Sequence, residues 1–226
     1  MINIKTEAEP KVIERVKGRV IYVLLVMVLL HLTYPFSMLG NVQNAIYFSL
    51  YVALLASGVY LSSVNRRRMI AAGIVAGLNV AIGVPWVITG GGILWLALAS
   101  YLLLIIFQGI IIVLLVEYIF VVERVGRDVI YSACTIYIIL GNLFSAVFMI
   151  IHTLDPAAFA SSTMSVPLPW QHMVYFSYAT LTTLGYGDVT PVSAWAQSVA
   201  AVEAMLGLLY IAIILGRMAS SYGTRK

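Results

Sequence analysis

Six stretches of this chain, at 20–39, 45–64, 69–89, 93–116, 129–153 and 192–215, are long and almost unbroken in apolar character. A hydrocarbon layer about 30 Å thick takes about 20 residues of helix to cross, so each run is long enough to span a bilayer. Of the 226 residues, 62% are hydrophobic and only 10% are charged, against about 25% in an ordinary soluble domain. Mean hydropathy is +1.00. Such a chain cannot cover its apolar surface in water, which excludes a soluble globular enzyme, and it is too apolar for disorder. A single cysteine, Cys134, excludes an internal disulfide and a cysteine-based zinc site. The fold class expected is an all-α membrane protein with six transmembrane helices.

A net charge of +4 suggests a nucleic-acid partner only until the charges are placed. Lys5, Lys11, Arg15, Lys17 and Arg19 precede the first run, and Arg66, Arg67 and Arg68 separate the second from the third. Arg124 and Arg127 separate the fourth from the fifth; Arg217, Arg225 and Lys226 follow the sixth. The connections 40–44, 90–92 and 154–169 hold neither Lys nor Arg. With six spans every basic residue therefore falls on one side, which the positive-inside rule makes cytoplasmic, together with both termini. The partners expected are membrane lipids, with no nucleic acid and no small-molecule substrate; the arginine turn suits anionic lipid. No cleavable signal peptide is expected, because the N-terminal residues carry both signs of charge and no small-residue cleavage site follows the first run. Segment 7–19 places Val12, Ile13 and Val16 on a helical stripe, so it is either an amphipathic helix on the membrane or a solvated tail. Trp86, Trp95, Trp170 and Trp195 fall near the opposite boundary, as interfacial anchors do.

Between the fifth and sixth runs lies a semi-polar segment, 171–183, too short to cross. It continues as Thr182-Thr183-Leu184-Gly185-Tyr186-Gly187-Asp188-Val189-Thr190-Pro191. This run resembles the signature of the potassium-channel pore family, and the resemblance covers about 129–216. It implies a re-entrant pore helix at 171–183 and a selectivity filter at 183–187. A potassium ion enters a narrow pore only where protein oxygens replace its water. By resemblance those oxygens are the carbonyls of Thr183, Leu184, Gly185 and Tyr186, followed by Gly187, with the Thr183 hydroxyl as the innermost ring. Carbonyls facing one axis in succession need alternating torsions, and glycine reaches positive φ without steric cost. Gly185 and Gly187 meet that need. Leu184 replaces the commoner Val, but its side chain is expected to face the pore helix rather than the ion. One loop per chain leaves a single filter strand with unpaired carbonyls at membrane depth, so four copies around an axis are expected, a homotetramer. A dimer of two-loop chains is excluded by the loop count. No cofactor is expected beyond the potassium ions in the filter.

The resemblance also assigns supports around the filter. Tyr175 and Phe176 stand where many relatives carry a Trp pair, and the Tyr175 hydroxyl is expected to hold Asp188. Thr182 and Asp188 flank the filter. Ala179 stands where some relatives place a pore-helix Glu, which predicts altered filter inactivation. Glu203 is an isolated carboxyl inside the sixth run and reads as functional by default. It bonds Thr180 or Thr182, or raises cation concentration in the cavity, or is a protonated structural carboxyl. Gly207 coincides with the family's hinge and marks either a bend or close packing. Leu208, Ile211 and Leu215 follow at helical spacing and are expected to line the cavity below the filter.

Domain by domain, the expectation is a cytoplasmic segment 1–19, a bundle 20–116, a linker 117–128, a pore domain 129–217 and a tail 218–226. An amphipathic helix is expected along the inner surface within 117–130. Six spans with the pore loop after the fifth suggest a voltage-gated architecture, yet the fourth run contains no Lys or Arg. Voltage acts on charge, at about 2.3 kcal/mol per charge per 100 mV, so no steep voltage dependence is expected. His31, His152 and His172 do not cluster in sequence; His152 and His172 are read as interfacial residues or as sensors of external pH. Short loops and the absence of glycosylation sequons favour a prokaryotic plasma membrane. A weakly selective cation channel and a nonconducting membrane sensor that kept the pore fold are the alternatives. No enzyme reading finds support.

Overall fold

The computed structural model describes residues 16, 18–88, 93–122, 125–162, 164 and 167–223. Most of the stretch 7–19, with Lys5, Lys11, Arg15 and Lys17, lies outside the described residues. So do the connection 90–92, Arg124, Arg225, Lys226 and the Trp86 side chain. Helices α1 (Val20–Thr33), α2 (Asn41–Ser62), α3 (Arg66–Ile88) and α4 (Leu94–Val121) come first. They are followed by α5 (Arg127–Leu154), the short α6 (Trp170–Leu181) and α7 (Ala194–Gly223). Pro35 opens a 3-10 turn, Tyr34–Met38, that ends α1. Six of the helices are long and apolar enough to cross a membrane, and α6, at 12 residues, is not among them. This is an all-α membrane protein.

Helix α4 corrects the expected linker. It runs to Val121 rather than ending at 116, and no separate helix occupies 117–130 among the described residues. Tyr118 and Ile119 repeat, one turn on, the buried stripe of Leu114 and Leu115, so the helix stays against the core. Val122 then turns extended, and Gly126 precedes α5, whose first turn carries Asp128. That carboxylate sits where the helix N-terminus favours negative charge, and it accepts the Gly18 N–H at 2.8 Å. Helix α7 likewise continues through Gly223, past the boundary at 217 expected for the pore domain. The short helix expected at 171–183 spans Trp170–Leu181 instead.

The bundle packs on the pore unit of its own chain. Helices α4 and α1 both lie against α5. One core runs from Val23 and Met27 through Leu55, Phe107, Ile111 and Leu115 to Ile136 and Ile139 on α5. A second core, centred on Phe148, Phe159, Met173 and Phe176, sits behind the filter end. The charged contacts gather at the other end. Arg19 bonds the Ser63 hydroxyl, Arg68 grips Glu117 at 2.6 and 2.8 Å, and Arg217 donates to the Val122 carbonyl at 2.6 Å. Among the described residues, Arg19, Arg68 and Arg217 thus make their contacts at one end.

Candidate functional site

The short helix α6 is aimed by the helices around it. Tyr178 donates its hydroxyl to the Ile138 carbonyl at 2.7 Å and Ser177 donates to the Gly141 carbonyl at 2.6 Å, both on α5. Gly141 admits this approach: a Cβ there would overlap the Tyr178 ring. On the other flank, a Cβ on Gly207 of α7 would overlap the Leu181 carbonyl oxygen. Gly207 is therefore a close-packing glycine against the end of α6, in a helix that continues unbroken on both sides of it.

At the end of α6 the backbone leaves the helix in a defined pattern. The Thr182 and Thr183 N–H groups still bond the Tyr178 and Thr180 carbonyls, at 3.1 and 3.0 Å. The Leu184 and Gly185 N–H groups then fold back onto the Ala179 carbonyl, at 2.8 and 3.2 Å. Thr183, Gly185 and Gly187 take φ of 58°, 56° and 78°, so every second residue of the stretch 183–187 is left-handed. At the glycines this costs nothing, whereas at the β-branched Thr183 it is strain, of the kind that collects at functional sites. Among the described residues no backbone N–H bonds the carbonyls of Thr183, Leu184, Gly185 or Tyr186. Leu184 and Tyr186 are 54% and 68% exposed in the single chain. The carbonyl end of α6 adds partial negative charge beside this strand.

Beyond the filter, Asp188 is pinned. Its Oδ1 accepts from the Tyr175 hydroxyl at 3.1 Å and from the Val189 N–H at 3.1 Å. The Tyr175 phenol stays neutral and donating: lost solvation raises its pKa first, and the Asp188 hydrogen bond and charge push it the same way. The Tyr175 and Tyr186 rings stack 6.4 Å apart and nearly parallel. Strands β1 (Phe159–Ser161) and β2 (Val189–Pro191) pair antiparallel, with Ala160 opposite Thr190, and tie the filter's exit to the loop after α5. Phe176 lies elsewhere. Its ring packs edge-on against Phe148 and Phe159, at 4.9 and 5.4 Å, behind the pore helix rather than on the filter.

Glu203 is wholly buried, and its partner is Ser177, at 2.5 Å, rather than Thr180 or Thr182. It does not face the cavity below the filter, which removes the reading that it concentrates cations there. The Ser177 hydroxyl has one proton and two oxygen neighbours, Gly141 O and Glu203 Oε1. Both contacts are hydrogen bonds at once only when Glu203 carries its proton and donates to Ser177. A neutral carboxyl also avoids the cost of an unpaired buried charge. Ser177 and Gly141 were missed by sequence reasoning. A glycine inside an apolar helix run was the available signal for Gly141, and nothing marked Ser177. Leu208, Ile211 and Leu215 follow Gly207 along α7 and are 45–61% exposed in the single chain. His152 sits apart at the end of α5, accepting the Leu168 N–H at 2.9 Å. Among the described residues no cluster of side chains suits a bound metal.

Residues 127–222 match the family model described as an ion channel. The match runs from the first residue of α5 to the end of α7 and contains the whole pore loop. With six apolar membrane-length helices, two of them inside the match, the chain fits a protein of the potassium-channel family. The matched segment is an ion-channel domain, and the apolar helices suit a chain embedded in a membrane by several passes. No curated protein and no solved structure matches the chain.

Proposed function

We propose that this chain is one of four identical subunits of a potassium-selective channel, which passes potassium ions passively down their electrochemical gradient. The observation that carries the reading is the backbone of 183–187: positive φ at Thr183, Gly185 and Gly187, with carbonyls that no backbone N–H bonds among the described residues. Stacked around a four-fold axis, the carbonyls of Thr183, Leu184, Gly185 and Tyr186 and the Thr183 hydroxyl replace the ion's water. Bare carbonyls at membrane depth are tolerated only inside protein or around an aqueous path, which favours assembly over a lone chain. Helix α7 supports the same view, since Met205, Leu208, Leu209 and Ile213 all stand exposed. Leu208, Ile211 and Leu215 line the lower cavity in this reading, and Glu203 and Gly207 hold α7 against the pore helix.

The Tyr175–Tyr186 stack and the Tyr175–Asp188 bond brace the filter's width, which favours potassium selectivity over a weakly selective cation pathway. Gating is not steeply voltage-dependent, because α4 carries no Lys or Arg to move in the field. The end bearing Arg19, Arg66–Arg68 and Arg217 faces the cytoplasm of a plasma membrane, with anionic lipid against it. Purified protein in liposomes tests the proposal. Potassium flux well above sodium flux, weak dependence on voltage and loss of flux in Gly185→Ala are expected. Equal flux of both ions, or a monomer in native mass spectrometry, overturns it.

A further inference from the structure

A cavity of about 200 Å³ lies where the bundle meets the pore unit. Its walls come from both sides: Tyr47, Ser100 and Gln108 on α2 and α4, and Asn142, Trp170 and Val174 on α5 and α6. None of the lining residues is charged. Its polar groups fall into two sets. Asn79 is satisfied, accepting from the Tyr51 hydroxyl at 2.6 Å and donating to the Ser100 carbonyl at 2.8 Å. By contrast the Ser100 hydroxyl, the Gln108 amide oxygen and the Asn142 amide nitrogen are buried without a partner. Gln108 is only 5% exposed. Orphaned buried polar groups are rare because each forfeits its hydrogen bonds to water. Three of them around one hollow are unmet demand for hydrogen bonds, directed at whatever fills it.

We propose that this cavity binds a small uncharged amphiphile, a ring-sized apolar body carrying one hydroxyl. The size follows from the volume: a dry cavity of about 150 Å³ already accepts benzene. Charge is excluded by a wall whose described residues offer nothing to pair it. A hydroxyl donates and accepts, so it answers both the Gln108 oxygen and the Asn142 nitrogen. The aromatic wall, with Tyr47 and Trp170 5.3 Å apart, takes the ring. An occupant touches the pore helix directly through Trp170 and Val174, so binding is felt beside the filter.

The test is fluorine NMR of para-fluorobenzyl alcohol and its hydroxyl-free counterpart para-fluoroethylbenzene, added to the full-length protein in lipid nanodiscs. This measures binding and does not depend on conduction. The expected result is saturable uptake of the alcohol above that of protein-free nanodiscs, with a preference over the hydrocarbon of about tenfold, the scale of one net hydrogen bond. Asn142→Leu and Gln108→Met each lower that preference at least threefold. Should either variant fail to fold, Ser100→Ala, which removes one hydroxyl at little change in volume, is held to the same threshold. Uptake no greater than in protein-free nanodiscs overturns the proposal and leaves the cavity to water. A saturable site with no preference for the alcohol, or a preference unchanged in the folded variants, overturns it as well.

Discussion

The four-helix bundle and the pore unit are made from the same apolar residues, yet they are held together differently. In the pore unit, side-chain hydroxyls of α6 and α7 reach the backbone of α5. Ser177, Tyr178 and Tyr210 donate to the Gly141, Ile138 and Ala133 carbonyls, at 2.6–2.7 Å. Glycines at 141 and 207 bring the helices close enough for this. In the middle of the bundle, Tyr51, Asn79 and the Ser100 carbonyl form a cross-helix relay, and a hollow with unpaired polar atoms lies beside it. Lipid is as apolar as leucine, so burial alone does not choose one helix arrangement over another; close approach and polar links do. The pore unit is over-determined in that sense. The bundle is packed but loosely specified through its middle, as suits a region whose α4 carries no Lys or Arg.

The largest effect expected comes from filling the close approaches. Gly207→Ala forces a methyl into the Leu181 carbonyl oxygen, a backbone atom that cannot rotate away. Overpacking of this kind costs about 1–3 kcal/mol or more, and here it also displaces the base of the filter. Gly207→Ala should therefore lose both thermal stability in detergent and potassium flux in liposomes. The bundle supplies the control. Gly77 on α3 has nothing within 4 Å of a built Cβ, so Gly77→Ala should gain up to about 1 kcal/mol from helix propensity. Equal behaviour of the two variants would erase the distinction between the regions. Gly58 is the bundle's own exception, since a Cβ there meets the Phe107 ring at 2.6 Å.

Next in size is Glu203, the carboxyl linked through Ser177 to α5. Glu203→Gln preserves a donor to Ser177 and carries no charge at any pH. If the native carboxyl is neutral, as its hydrogen bonds require, this variant should match the parent in unfolding midpoint and in the profile of flux from pH 5 to 8. Glu203→Leu removes the donor and should destabilise by about 1 kcal/mol, the net value of a buried hydrogen bond. A Glu203→Gln channel with a shifted pH profile would show that the carboxyl is ionised during conduction.

How far these features could be read in advance follows from their range in sequence. The membrane helices and the channel domain were legible because each is written in consecutive residues: hydropathy over one run, and the 182–191 motif. The end of α4 was misplaced because Glu117 looked like the start of a polar linker. Tyr118 and Ile119, just beyond it, carry the same buried stripe onward. The β1–β2 pairing joins Phe159 to Pro191, and the Ser177–Glu203 bond crosses 26 positions; no periodicity connects either pair. Phe176 was grouped with Tyr175 because they are adjacent, but neighbours on a helix point about 100° apart, one to the filter and the other to the core. Ser100, Gln108 and Asn142 did carry a signal, as isolated polar residues within apolar runs.

A smaller test compares the braces at the two ends of the membrane helices. Tyr175→Phe keeps the ring stack on Tyr186 but removes the hydroxyl that Asp188 accepts. The expected loss is about 1 kcal/mol, read as faster decay of flux during sustained conduction with little change in unfolding midpoint. At the basic end, Arg68 and Glu117 form a bidentate pair whose side chains are 35% and 48% exposed. Exposed pairs contribute about 0–1 kcal/mol, because water screens the attraction and two long side chains lose freedom. Arg68→Gln should move the unfolding midpoint only slightly, less at high salt than at low, and leave flux unchanged. A larger change in flux for Arg68→Gln than for Tyr175→Phe would mean that the bundle is coupled to conduction through this pair. The bundle's looser construction would then be a property of its middle and not of its charged end.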